Sequence, residues 1–130
     1  MVGTNDIESA NKFYDIVIGT LNLTKAYEDT KCIGYAKDTA LEEIEFYITK
    51  PANKETASFG NGTQISFYAD NKIKVDKFHE VALKAGGKDE GLPGLRPQNG
   101  NVYYAYIRDL DGNKICAYTN LSIKNFSKTF

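Results

Sequence analysis

One histidine and two cysteines leave this chain few ways to build a familiar catalytic or metal centre. With His79 alone, no Ser-His-Asp order can be picked out, and the imidazole cluster common at zinc, nickel or iron sites is missing. Cys32 and Cys116 lie far apart with no CxxC spacing, so two reduced thiols are expected unless the fold brings them together. Neither charge sign is in excess: 16 Lys and Arg face 17 Asp and Glu, a formal net charge of −1. No basic run interleaves with aromatics, which sets nucleic acid aside as a partner. No stretch approaches the ~18 consecutive apolar residues of a spanning helix, and the start MVGTNDIES lacks the pattern of a leader. A soluble cytoplasmic protein with no membrane partner is the expectation. The glycines of GLPGLRPQNG, residues 91–100, have no strand-to-helix context, so they are not a phosphate cradle.

What is present is enough for one globular domain: 130 residues, 42% hydrophobic and 25% charged. The chain is organised around residues 102–120, VYYAYIRDLDGNKICAYTN, which predict a β-hairpin. Asp111-Gly112 supplies turn chemistry, and Tyr103, Ala105 and Ile107 alternate with Tyr104, Tyr106 and Arg108. The same design recurs upstream. Tyr35, Lys37 and Asp38 match Tyr106, Arg108 and Asp109, and Glu45 and Tyr47 match Cys116 and Tyr118, at a constant spacing of 71 positions. A duplicated module is implied.

Taken in order, Asn5 with Glu8 three residues on resembles a capping box, opening a helix to about residue 19 with Ile7, Ala10, Phe13, Val17 and Leu21 on its apolar stripe. Strands are expected over 23–28, 31–37 and 43–50. Residues 51–62, PANKETASFGNG, form a linker. A strand over 64–70 follows, then a helix capped by Asp70 with Val75, Phe78, Ala82 and Ala85 inward, ended by Gly86-Gly87. His79 falls on the polar side of this helix and is expected at the surface. The helices repeat at a spacing of 65, so the second half carries extra residues before its hairpin, and residues 91–100 are expected to form a functional loop. The fold class is α+β, with two β-α-β-β-β modules as a curved mixed sheet: module one about 1–50, linker 51–62, module two about 63–122.

Three stretches, NDIESANKFYD, VDKFHEVALKAGG and YYAYIRDLDGNKICAY, resemble the vicinal oxygen chelate superfamily, the glyoxalase, bleomycin-resistance and ring-cleaving dioxygenase group. The resemblance covers nearly the whole chain, with Leu110 where the closing turn usually has proline. It implies metal ligands on the first and last strands of each module. At those positions stand Gln64, Glu45 and Cys116, and the repeat spacing leaves no first ligand expected in module one. The implied metal site is degenerate: one carboxylate, one neutral amide and one thiol. No cofactor is therefore expected, a divalent metal being disfavoured.

Alternation puts Ile44, Phe46 and Ile48 on the face opposite Glu45 and Tyr47, and Ile65 and Phe67 opposite Gln64, Ser66 and Tyr68. Tyr35, Tyr104 and Tyr106 are expected to converge on one concave face, where ordinary cross-strand packing is one reading and a stacking surface for a flat or apolar ligand the preferred one. Cys116 is expected as a small buried hydrophobe. Ligand-binding candidates are Tyr47, Gln64, Arg96, Tyr104, Tyr106 and Tyr118, with Arg96 offering a fork to a carboxylate or phosphate. The leading expectation is a glyoxalase-like homodimer that binds a small, partly aromatic or apolar molecule in an inter-module cavity. The alternatives are a metal-dependent lyase or isomerase of the glyoxalase I type, with Glu45 moving the proton, and a structural or regulatory dimer without ligand.

Overall fold

Each helix begins where an Asx side chain can reach back over its first turn, one residue from the position expected in both cases. In the computed structural model, which describes residues 1–122, Asp6 rather than Asn5 caps α1 (Ile7–Val17), its carboxylate accepting from the Ser9 amide. Asn5 is engaged elsewhere. Its side chain accepts from the Ala57 amide at 2.7 Å and donates to the Ala57 carbonyl at 3.2 Å, holding the linker against the start of the helix. Likewise Asn71, not Asp70, caps α2 (Lys72–Lys84) by accepting from the Lys74 amide, while Asp70 pairs with the Lys74 ammonium. α1 continues as a 3-10 turn over Ile18–Leu21, closed by Asn22 in the left-handed conformation that asparagine tolerates.

The strands are β1 (Val2–Gly3), β2 (Leu23–Glu28), β3 (Cys32–Lys37), β4 (Ile44–Thr49), β5 (Ile65–Tyr68), β6 (Lys88–Leu95), β7 (Val102–Arg108) and β8 (Lys114–Asn120). They form two four-stranded sheets, ordered β1-β4-β3-β2 and β5-β8-β7-β6. In each, the first strand pairs in parallel with the last and the other pairings are antiparallel. This is the expected pair of β-α-β-β-β modules. The region expected as a free loop at 91–100 is partly strand: β6 runs through Leu95 and takes up the surplus residues in two register shifts, between Asp89 and Gly91 and between Gly91 and Gly94.

The repeat contains one slip that reverses a predicted face. Tyr47 and Tyr118 are equivalent, and their partners across the ladder are Gly34 and Tyr104. Tyr35 is therefore equivalent to Ala105, not to Tyr106, until a bulge between Tyr35 and Ala36 restores the constant spacing. Tyr35 accordingly points into the core and is fully buried, its hydroxyl bonded to the side chains of Asn11 and Asp15. It does not join the tyrosines of the second module.

The apolar faces of both sheets and both helices share one core. Phe46 lies at its centre, 5.0 Å from the Tyr14 ring and 5.2 Å from Phe67 of the other module. Burial of rings of this size is the main stabilising term. The β7–β8 turn then clasps the modules together. Asp109, 7% exposed, receives the amides of Asp111 and Asn113 on Oδ1 and the Tyr14 hydroxyl and the Asn113 side-chain amide on Oδ2. From the same turn Asn113 donates to the Gly3 carbonyl, and Asp111 accepts from the Asn5 amide. His79 is also internal. It is 5% exposed, with Nε2 2.8 Å from Asp89 Oδ1, because β6 packs over the α2 face that looks polar in sequence.

Candidate functional site

On the side of the second sheet away from the helices, strand register sets side chains in rows. One row runs Ser66, Cys116, Tyr106, Gly91 and the next Tyr68, Tyr118, Tyr104, Gly94, each residue a direct cross-strand partner of its neighbour. Gly91 is what lets the Tyr106 ring lie down on the sheet. A Cβ on Gly91 would stand 2.7 Å from Tyr106 Cδ2, so an alanine there would displace the ring.

The result is a continuous tyrosine layer. Ring centroids are 5.6 Å apart for Tyr68 and Tyr118, 6.1 Å for Tyr118 and Tyr104, and 5.8 Å for Tyr104 and Tyr106, which stack with an interplanar angle of 10°. Arg96 and Lys114 each place a cation 5.0 Å from the Tyr106 centroid. Partial burial, more than any neighbouring charge, raises the Tyr106 phenol above its ordinary range.

The expected site residues divide between the modules. Tyr104, Tyr106, Tyr118 and Arg96 are brought together, and Gln64 stands beside them, its amide donating to Ser66 Oγ at 2.9 Å. Tyr47 is on the other sheet, covering Gly34, with its ring 6.4 Å from Tyr27. Arg96 is not the free fork expected. Its Nη1 donates to the carbonyls of Tyr104 and Gly94 and its Nη2 to that of Leu92, so the guanidinium fixes the segment after β6 and offers the tyrosine layer a flank. Tyr68 and Lys114 complete the layer and were not among the sequence candidates. The signal for Tyr68 is its parallel pairing with Tyr118, which a repeat read by spacing alone does not reveal.

The donors at the implied metal positions do not fit a metal. Cys116 is fully buried and free, and burial, outweighing the opposing influence of Ser66, Lys114 and Arg96, pushes its thiol up to about 11. Gln64 is neutral, and Glu45 is exposed on the first module's sheet. Among the described residues, no three of His, Cys, Asp and Glu gather at ligand spacing. Nor is any described helix long and apolar enough to cross a membrane.

Comparison with known proteins agrees with this architecture. The family model described as Glyoxalase/Bleomycin resistance protein/Dioxygenase superfamily matches residues 1–117. No curated protein matches. Among solved structures, a glyoxalase/bleomycin resistance protein from Albidiferax ferrireducens T118 is similar at 38% identity and TM-score 0.81, over 92% of this chain and 94% of that one. A glyoxalase-related enzyme from Fulvimarina pelagi is 18% identical with TM-score 0.70, over 92% and 84%. Lactoylglutathione lyase from Agrobacterium tumefaciens is 21% identical with TM-score 0.61, over 91% and 88%. These last two likenesses bear on the fold alone.

Proposed function

The chain belongs to the glyoxalase/bleomycin resistance protein/dioxygenase superfamily, and from that premise we propose that it binds a small, flat, partly apolar molecule on the tyrosine face of its second sheet, without a catalytic metal. The observation that carries this reading is the uninterrupted layer Tyr68, Tyr118, Tyr104, Tyr106. Stacking on such rings contributes about 0.5–1.5 kcal/mol per pair beyond area burial, enough for several contacts to hold a small planar ligand. The inter-module junction on the helix side is filled by Phe46 and Phe67, so binding is assigned to the outward face.

A second copy of the chain is the natural cover for that face. Tyr68 is 41% exposed, and an open sheet face leaves a ligand too wet to bind tightly. The first module's outward face offers Tyr27 and Tyr47 to match the tyrosines. The homodimer is tested by light scattering, which should give twice the 14.5 kDa chain mass. A monomer at micromolar concentration would contradict it. Elemental analysis of the purified protein separates this function from a lyase or isomerase that uses Glu45: stoichiometric zinc, nickel, iron or manganese, lost together with activity in Glu45→Gln, would overturn the metal-free reading.

A further inference from the structure

The end of the second sheet nearest the Asp109 turn carries positive charge that its own carboxylates leave largely unmatched. Lys88, Arg108 and Lys114 are direct cross-strand partners, so three cations stand in one row on one face. Like charges placed directly opposite destabilise a sheet. Among the described residues, the carboxylate that pairs with this row is Glu90, whose Oε1 accepts from Arg108 Nη2 at 3.2 Å. Neither lysine has an acidic partner at ion-pair distance among those residues.

Beside the row is a cavity of about 340 Å³ lined by Phe59, Lys88, Arg108, Asp109, Leu110 and Gly112. Its apolar walls are unusually open: Phe59 is 53% exposed and Leu110 45%. Arg108 is held in place, with Nη1 donating to the Gly112 carbonyl and the guanidinium 5.6 Å from the Phe59 centroid, and it retains Nε–H and further Nη hydrogens to donate. Asp109 contributes no free acceptor, because both its oxygens are committed to the four donors of the clasp. The cavity therefore presents Lys88 and an Arg108 shared with Glu90 beside two hydrophobic walls, and the one anion in its lining, Asp109, keeps its charge but has no oxygen free to compete for the cations.

We propose that this cavity is a second binding site, for a small amphipathic anion whose carboxylate or phosphate group sits on Lys88 and Arg108 and whose ring or short chain packs between Phe59 and Leu110. An anion here relieves the repulsion within the row and forms charge-assisted hydrogen bonds, while the apolar body covers surface otherwise left in water. The volume lies at the lower end of the range for ligand pockets, roughly 300–1,000 Å³, which suits a single ring or short chain. The site uses none of the rings of the tyrosine layer, so it stands or falls independently of that function.

The test is an NMR titration of the full-length protein with benzoate, phenyl phosphate, inorganic phosphate and neutral benzamide. Benzoate and phenyl phosphate are expected to shift the resonances of Phe59, Lys88 and Leu110, more weakly as salt rises, and the tighter of the two identifies the head group. Benzamide and inorganic phosphate should bind at least about tenfold more weakly, each lacking one half of the recognition. Lys88→Gln, at an exposed position where folding should survive, should raise Kd about tenfold for both organic anions. Tyr104→Ala should leave that Kd unchanged. Equal binding of benzamide and benzoate, equal binding of inorganic and phenyl phosphate, an unaltered Kd in Lys88→Gln, or shifts confined to the tyrosine layer would each overturn the proposal.

Discussion

Replacing Asp109 by alanine should cost more stability than any other single change to a polar side chain in this fold. The carboxylate receives four hydrogen bonds, and its removal strands the buried Tyr14 hydroxyl and one of the two Asn113 amide hydrogens, the other staying on the Gly3 carbonyl. Each orphaned donor costs about 1–3 kcal/mol. The two backbone amides of the turn can find water more easily, since Leu110 beside them is 45% exposed. Some relaxation is expected, so we place the total at about 3–5 kcal/mol, against whole-domain stabilities of about 5–15 kcal/mol. Tyr14→Phe should cost only about 1–1.5 kcal/mol, because Asp109 keeps three of its donors. Combined with Asp109→Asn it should show a coupling of about 0.5–2 kcal/mol. Urea denaturation followed by far-ultraviolet circular dichroism measures all of these, with the m-value checking that two-state unfolding persists. A loss below about 1 kcal/mol for Asp109→Ala would refute the assignment of the turn as the clasp between modules.

Two further predictions concern the turns and glycines that shape the sheets. Asp29 accepts the Tyr27 hydroxyl and the amides of Lys31 and Cys32, led by the Tyr27 bond, and these hold its carboxyl down from 3.8 to about 2. A depressed folded-state pKa stabilises above the ordinary value and is lost as pH falls through the depressed one. Asp29→Asn should therefore lower Tm at pH 7, with the gap to wild type closing between pH 3.8 and about 2; a gap that persists in full at pH 2 would contradict this. Gly91→Ala should push the Tyr106 ring off the sheet at a cost of roughly 1–3 kcal/mol and diminish the near-ultraviolet tyrosine signal. An unchanged spectrum would mean the ring is not seated on that glycine.

Much of the fold could be read from residue pattern because its two periodicities are strong. The alternation along β7 and β8 and the stripes of α1 and α2 each assign a face without knowledge of neighbours. The readings that failed depended on what lies across from a residue. Spacing from Tyr106 points Tyr35 to the outer face, and the bulge beside it, invisible as composition, reverses that face. His79 looks solvent-facing on its own helix until β6 brings Asp89 over it. Arg96 reads as a free guanidinium because nothing in sequence shows that three backbone carbonyls will surround it. The tyrosine layer is partly legible, since Tyr104, Tyr106 and Tyr118 alternate correctly and Tyr68 shares the face of Gln64 and Ser66, while its place beside Tyr118 depends on a parallel pairing between distant segments.

The most direct test of the central claim is a comparison of Tyr104→Ala with Glu45→Gln in ligand-induced melting shifts, using neutral planar probes such as indole, naphthol and quinoline on protein of measured metal content. Tyr104 stacks with Tyr106 and contacts Tyr118, so its truncation opens the middle of the layer, while Glu45 belongs to the other sheet. Probes that raise the wild-type Tm should lose their effect in Tyr104→Ala and keep it in Glu45→Gln, with no metal needed for the shift. Shifts that survive in Tyr104→Ala but vanish in Glu45→Gln, or on removal of a bound metal, would contradict the account.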